Sequence, residues 1–233
     1  MIKLKNVKKS YFDKKKKLEI LDVKKLQIKK GERVALVGPS GSGKTTLLKI
    51  ISAMTSVEKG LIEVMGKEIN KLAAKEKDKF RAKNIGYIYQ ELNLLDSLTS
   101  KENLLLATYF AKGETSKKDH IKAEKLLKEL GLGQRINHIP EKLSQGEKQR
   151  VAIARALMND VKIILADEPT GNVDYKTAKK IIELLEKTCN ERDLTLIMVT
   201  HDREFSNQFE RKIEMKSINQ TINQEDVFKN EYI

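Results

Sequence analysis

Cysteine is nearly absent from this chain of 233 residues: Cys189 is the only one. An internal disulfide is therefore excluded, and no second thiol is there to share a metal ion. Apolar runs of about 18 residues or more, the length a membrane-crossing helix needs, are missing as well. The start, MIKLKNVKKSY, is basic, but no apolar segment with a small-residue cleavage site follows, so no secretion signal is read there. Repeats with a period of roughly 20 to 50 residues are also missing. These absences lead to the expectation of a cytoplasmic protein.

What is present suits a soluble globular fold of one or two domains, with 39% hydrophobic and 34% charged residues. The net charge is +13, and it is uneven. Residues 1–33 carry 13 Lys+Arg against 4 Asp+Glu, a net of +9, whereas residues 202–233 carry 5 against 7, a net of −2. The basic start, with its run Lys14, Lys15, Lys16, Lys17, faces nucleic acid, an anionic membrane leaflet or simply water. No aromatics or glycines interleave the lysines as they do in single-strand binders. A solvated segment is the favoured reading, and no nucleic-acid partner is expected.

Four apolar runs, RVALVG (33–38), IGYIYQ (85–90), KIILAD (162–167) and LTLIMVT (194–200), read as strands covered on both faces, as in a parallel sheet. Helical patterns lie between them: residues 44–53 after the first run, and residues 175–192 with Ile181, Ile182, Leu184 and Leu185 as an apolar face. Alternating strands and helices predict an α/β fold. Residues 91–158 have little strand signal. Their segments KENLLLATYFA and HIKAEKLLKELGL predict a helical insertion. The weakly alternating end, RKIEMKSINQTINQ, is read as a terminal hairpin.

The chemistry starts at GPSGSGKTT, residues 38–46, which directly follows the first strand and opens a helix. It fits G-x-x-x-x-G-K-[ST], in which glycines let backbone N–H groups turn toward phosphate oxygens and the helix N-terminus adds positive potential. Lys44 is a point charge for the β- and γ-phosphates, and Thr45 offers a hydroxyl to Mg2+. The run IILADE ends a buried strand in two carboxylates, Asp167 and Glu168. At the carboxyl end of a parallel strand, Asp167 can hold Mg2+ and Glu168 can polarise an attacking water. Together the two motifs point to hydrolysis of a nucleoside triphosphate.

A third motif narrows the choice. With LSQGEKQRVAIARAL the chain resembles, over essentially its whole length, the ATP-binding subunits of ABC transporters. The family signature Leu-Ser-Gly-Gly-Gln/Glu falls on Leu143, Ser144, Gln145, Gly146 and Glu147. The resemblance also implies adenine stacking on Tyr11, a Q-loop at Gln90, a D-loop at Asp174 and a switch histidine at His201. On this basis the catalytic set is Glu168, His201, Lys44 and Gln90, and the metal set is Thr45, Gln90 and Asp167. The ATP-binding set is Tyr11, Gly38, Pro39, Ser40, Gly41, Ser42, Gly43, Lys44, Thr45, Thr46, Ser144, Gln145, Gly146, Glu147 and Asp174. ATP and Mg2+ are the implied cofactors. His120, His138 and Cys189 are read as structural.

The resemblance further implies a P-loop NTPase (RecA-like) core with a mainly parallel sheet, an N-terminal antiparallel β subdomain and an inserted α-helical subdomain. On the same resemblance residues 1–233 are expected to form a single ATP-binding domain, with residues 1–90 and 160–233 as catalytic core and 91–159 as the helical signature subdomain. Two copies, identical or paralogous, are expected to pack head to tail on ATP, the signature helix of one meeting the γ-phosphate held by the other. An integral membrane permease is the expected partner, with the chain peripheral on the cytoplasmic face of the membrane. Leu92, Leu94, Leu95 and Leu98 offer either apolar contacts to that permease or packing for the helical insertion.

Gln145 departs from the family, which has glycine there. Glutamine costs roughly 1 kcal/mol or more if the backbone needs positive φ, and otherwise crowds the nucleotide. Gln90 and Ser144 are 54 positions apart, too close for the long coiled coil of chromosome-maintenance relatives. LADEPTGNVD and QELNLLDSLTSKEN are most similar to the lipoprotein-release, macrolide-export and antimicrobial-peptide-resistance group, which implies extrusion of hydrophobic or peptide cargo. The alternative is a non-transport ATPase of cell division or iron–sulfur assembly.

Overall fold

The computed structural model describes residues 1–13, 16–171 and 173–222. In chain order the elements begin with β1 (Ile2–Asp13), β2 (Lys16–Ile28), β3 (Arg33–Val37), α1 (Lys44–Ile51), β4 (Lys59–Val64) and β5 (Lys67–Glu68). Then come α2 (Ala74–Asn84), β6 (Ile85–Ile88), α3 (Ser100–Lys112), α4 (Lys117–Glu129) and α5 (Gln145–Leu157). The last are β7 (Ile163–Asp167), α6 (Tyr175–Glu191), β8 (Thr195–Val199), α7 (Arg203–Ser206), β9 (Arg211–Glu214) and α8 (Met215–Ile218). The chain divides into two compact units, residues 1–77 with 197–233 and residues 78–196.

In the first unit, β2-β1-β4-β5 form an antiparallel sheet. One face is packed: Ile2, Leu4, Val7, Leu21, Val23 and Ile28 are buried, while alternate lysines point to water. The sequence shows no strand here because lysines dominate the count. A second sheet begins with β8-β3-β9, in which β3 pairs with β9 in parallel, Val34 opposite Arg211 and Val37 opposite Glu214. This overturns the terminal hairpin. Residues 211–214 are a parallel edge strand, and Met215, fully buried, starts a short helix where the return strand was expected. Residues 223 and 224 of that reading lie outside the described residues.

In the second unit the sheet order continues β6-β7-β8. β6 runs parallel to β7, with Tyr87 opposite Leu165 and Ile88 opposite Ala166. Every residue of β6, β7 and β8 is buried, which explains why these runs are continuously apolar. The helices α3, α4 and α5 are the predicted insertion. Each starts with a capping box, at Thr99/Glu102, Ser116/Asp119 and Ser144/Glu147, so each N-terminus is fixed by its own first turn. α6 buries Ala178, Ile181, Ile182 and Leu185, with Leu184 only half-buried.

Candidate functional site

In the first unit, β3 delivers the chain to residues 38–43 and α1 carries it away. Gly43 is the N-cap residue, at φ +92°, with no side-chain cap among the described residues, so the start of the helix presents its positive dipole end with no capping side chain over it. A Cβ there would lie 2.7 Å from Leu21 Cδ2 and 3.1 Å from the Ile20 carbonyl oxygen. Both conformation and space therefore demand glycine. Lys44 is buried, and its Nζ donates to the carbonyls of Gly38 at 2.8 Å and Pro39 at 2.9 Å. Ser42 Oγ is buried and has no hydrogen-bond partner among the described residues. Ser40 and Gly41 are exposed, and Thr45 and Thr46 are half-buried.

An ammonium drawn across the loop, a helix start behind a glycine N-cap and a buried hydroxyl with no partner among the described residues make a donor-rich cradle. That donor set fits the phosphates of a nucleotide. His201, just after β8, shares an open cleft with Val37, Gly38 and Pro39, rimmed by Arg203, Lys212, Glu214 and Lys216. Its loop is stiffened on both sides. Asp202 N–H donates to Thr200 Oγ1 at 3.1 Å, and Asp202 Oδ1 caps α7 through Glu204 N–H at 2.8 Å. Tyr11 projects from β1, 41% exposed, with Lys9 Nζ 4.7 Å from its ring centroid. The ring is on the surface, as a stacking platform requires.

In the second unit the parallel pairing of β6 and β7 brings Gln90 to the acidic strand end. Gln90 Nε2 lies 3.5 Å from Glu168 Oε2. Asp167 is buried and accepts from Tyr87 OH at 3.3 Å. Burial and the neighbouring Asp167 charge push the Tyr87 phenol far up, so it stays a protonated donor. Glu168 has φ +45°, a conformation that a non-glycine residue holds at some cost and that recurs at functional positions. Glutamine and carboxylate oxygens are the hard donors Mg2+ takes.

The signature segment forms the N-terminus of α5. Ser144 caps it, its Oγ accepting from Glu147 N–H at 3.3 Å while Glu147 Oε2 accepts from Ser144 N–H at 2.8 Å. Arg135 Nε donates to Glu147 Oε1 at 2.8 Å. The Arg135 bond first, then the Ser144 amide, holds the Glu147 carboxyl down at about 2. Asp174 caps α6, accepting from Thr177 N–H at 3.0 Å. A Cβ on Gly146 would fall 2.8 Å from Thr177 Cγ2, so these two helix starts are packed together. Gln145 is the first helical residue and exposed, and it is not among the residues with positive φ. The strain reading of Gln145 is thus overturned, because a helical first turn needs no left-handed residue. His138 is half-buried, His120 is exposed and Cys189 is buried.

Some of the site was not found by sequence reasoning. Arg155, on α5, donates through its two terminal nitrogens to the carbonyls of Leu92 and Asn93, both at positive φ, and so shapes the loop that leaves Gln90. Leu92 is buried there, Leu94 and Leu98 are half-buried and Leu95 is exposed. Neither Arg155 nor Arg135 carries a motif of its own. A sequence signal does exist for Arg155, since it is the charged residue in an otherwise apolar helix face.

The ABC transporter family pattern matches residues 21–171. The chain is 42% identical over 217 residues to the macrolide export ATP-binding/permease protein MacB of Rhodopirellula baltica, covering 93% of this chain and 32% of that protein. It therefore spans about a third of that relative. It is 41% identical to the lipoprotein-releasing system ATP-binding protein LolD of Wigglesworthia glossinidia brevipalpis, covering 93% of this chain and 94% of that one. A solved dimeric ATP-binding cassette, in a post-hydrolysis state bound to ADP and Pi, superposes with a TM-score of 0.84 at 40% identity, with 94% of each chain covered. No helix among the described residues is long and apolar enough to cross a membrane.

Proposed function

The chain belongs to the ABC transporter family, and from that premise we propose that it is the ATP-hydrolysing subunit of an export system, driving a separate membrane permease. The observation that carries this reading is the cradle at residues 38–46: Lys44 held by loop carbonyls, the glycine N-cap of α1 and a Ser42 hydroxyl with no partner among the described residues. Residues 38–46 hold the phosphates and Tyr11 stacks on adenine. Glu168 takes the proton of a water that attacks the γ-phosphorus, the bond to the β-phosphate oxygen breaks, and ADP and phosphate leave. Gln90 and His201 orient the water and the departing phosphate.

Mg2+ is the proposed companion of the triphosphate, with Thr45, Gln90 and Asp167 as the oxygen donors that the family resemblance implies. It would neutralise charge on the phosphate oxygens. Ser144, Gln145 and Gly146 sit at the start of α5, whose dipole suits an anion brought by a second copy, with Glu147 and Asp174 as the capping carboxylates that hold the starts of α5 and α6. That second copy is identical or paralogous. Among the relatives named above, one is an ATP-binding/permease protein and one belongs to a lipoprotein-releasing system. By analogy this chain works on the cytoplasmic membrane face and its cargo is hydrophobic or peptidic. The same relatives favour transport over the cell-division and iron–sulfur alternative.

The test is a titration with fluorescent ATP. Wild type is expected to bind and Lys44→Ala to lose binding; retained affinity would place the phosphates elsewhere. Purification from membranes decides the transport role: a co-purifying integral membrane protein supports it, and a soluble partner alone overturns it.

A further inference from the structure

Asn219 follows α8 and is 1% exposed. Among the described residues its side chain bonds only to backbone, and it joins segments almost two hundred residues apart. Nδ2 donates to the carbonyls of Ile20 at 2.9 Å and Ser42 at 3.1 Å. Oδ1 accepts from Asp22 N–H at 2.8 Å and Thr221 N–H at 3.3 Å. With carbonyls on one side and amides on the other, only one orientation of the amide satisfies all four contacts. A buried asparagine so satisfied specifies one local structure and is costly to disturb.

We infer that Asn219 is a positioning residue for nucleotide binding: it holds the Ser42 carbonyl and so aims the Gly43 N–H into the phosphate cradle. This rests on the reading of residues 38–46 as the phosphate site. In a planar trans peptide the C=O and N–H point in opposite directions, so tying back the Ser42 carbonyl commits the next N–H to the other side. The anchor is needed because glycine lets its flanking peptide rotate at little cost. Asn219 sets that peptide against β2, whose Leu21 already packs on Gly43. Two neighbouring contacts, Gln220 N–H to the Asp22 carbonyl at 3.0 Å and Thr221 Oγ1 to the Ile20 carbonyl at 3.2 Å, fasten the same segment without touching the loop. They provide the control.

Asn219→Asp keeps shape and acceptor but turns an oxygen toward the Ser42 and Ile20 carbonyls. The expected result, measured well below the melting temperature, is a Kd for ATP and ADP about tenfold higher, with kcat at saturating ATP within about twofold of wild type. Thr221→Val is expected to lower the melting temperature and leave Kd unchanged. An unchanged Kd in Asn219→Asp, or a lower kcat at unchanged Kd, overturns the inference. If Asn219→Asp does not fold, Asn219→Ala is read in the same way. The wild type supplies an independent reading, because coupling is reciprocal: nucleotide binding must slow hydrogen exchange of the Asn219 side-chain amide, and no slowing overturns the inference. Lys44→Ala, run alongside, separates the failures. If it keeps nucleotide affinity, the loop itself is misread. If it loses affinity while Asn219→Asp binds normally, only the role of Asn219 falls.

Discussion

Arg135 Nε lies 2.8 Å from Glu147 Oε1, and the other oxygen of that carboxylate completes the cap on α5 with Ser144. A carboxylate at a helix start stabilises the helix but repels an incoming phosphate. Arg135 cancels that repulsion while leaving the cap intact. Arg135→Ala is therefore expected to slow ATP hydrolysis and weaken ATP-driven dimerisation by about threefold to fivefold, the scale of a partly exposed ion pair. Glutamine can make the same capping box without charge. Arg135→Ala with Glu147→Gln should recover most of the loss, and a double variant no better than the single one would refute the charge argument.

The same pair sets an acid limit. The Glu147 carboxyl, ordinarily at 4.5, is held down at about 2 by Arg135 and the Ser144 amide. A depressed carboxyl contributes stability that is complete above its ordinary value and is lost as pH falls through the folded one. Asp119 behaves alike, held well below its ordinary value by Ser116 and Lys112. The melting temperature is expected to fall between pH 4.5 and 2, and Glu147→Gln to fall less steeply across that window. Parallel slopes, followed by circular dichroism, would deny the linkage.

How far the sequence foretells this molecule depends on the range of each signal. Strands β6, β7 and β8 are legible because both faces are buried, and α3 to α6 because their caps lie within one turn of their apolar faces. β1 and β2 are hidden by exposed lysines, and α2 by having Phe80 as its only buried residue. The motifs at residues 38–46 and 143–147 are local and so can be read from the chain alone. Asn219 with Ser42, Arg135 with Glu147 and Arg155 with Leu92 are meetings of distant residues, and nothing in the chain order announces them.

Gly146 tests how tightly the starts of α5 and α6 are packed. Gly146→Ala gains about 1 kcal/mol of helix propensity but forces its methyl against Thr177 Cγ2, at a cost of about 1 to 3 kcal/mol. A net loss of about 1 kcal/mol, or roughly 2 to 4 °C in melting temperature, is expected. Adding Thr177→Ser removes the opposing methyl and keeps the hydroxyl that donates to Asp174 Oδ2 at 2.6 Å. Differential scanning calorimetry should show the double variant restored. If it melts with the single one, the methyl contact is not the cause.

Gln145 stands exposed on the first turn of α5, where the proposed second copy brings its phosphate. The expected cost of glutamine there is therefore crowding and not strain, since the residue does not have positive φ. Gln145→Gly is expected to raise the steady-state ATPase rate even though it weakens the helix start by up to about 1 kcal/mol. A rate that stays level or drops would show that the side chain leaves the approach clear.

Glu168 faces Gln90 at the acidic strand end, and its proposed task is to accept a proton. Glu168→Gln keeps the volume and the contact with Gln90 but cannot act as a base at neutral pH. ATP should bind with near wild-type affinity while turnover falls by about a hundredfold or more, the lower range for general-base loss. Because the proposed dimer closes on ATP and opens after hydrolysis, the variant should accumulate as a dimer when ATP and Mg2+ are present. Sedimentation velocity reads this directly: a shift from monomer to dimer with ATP, and none with ADP. A variant that binds ATP but remains monomeric at every protein concentration would remove the shared site, and with it any role for Ser144 and Gly146 in holding nucleotide.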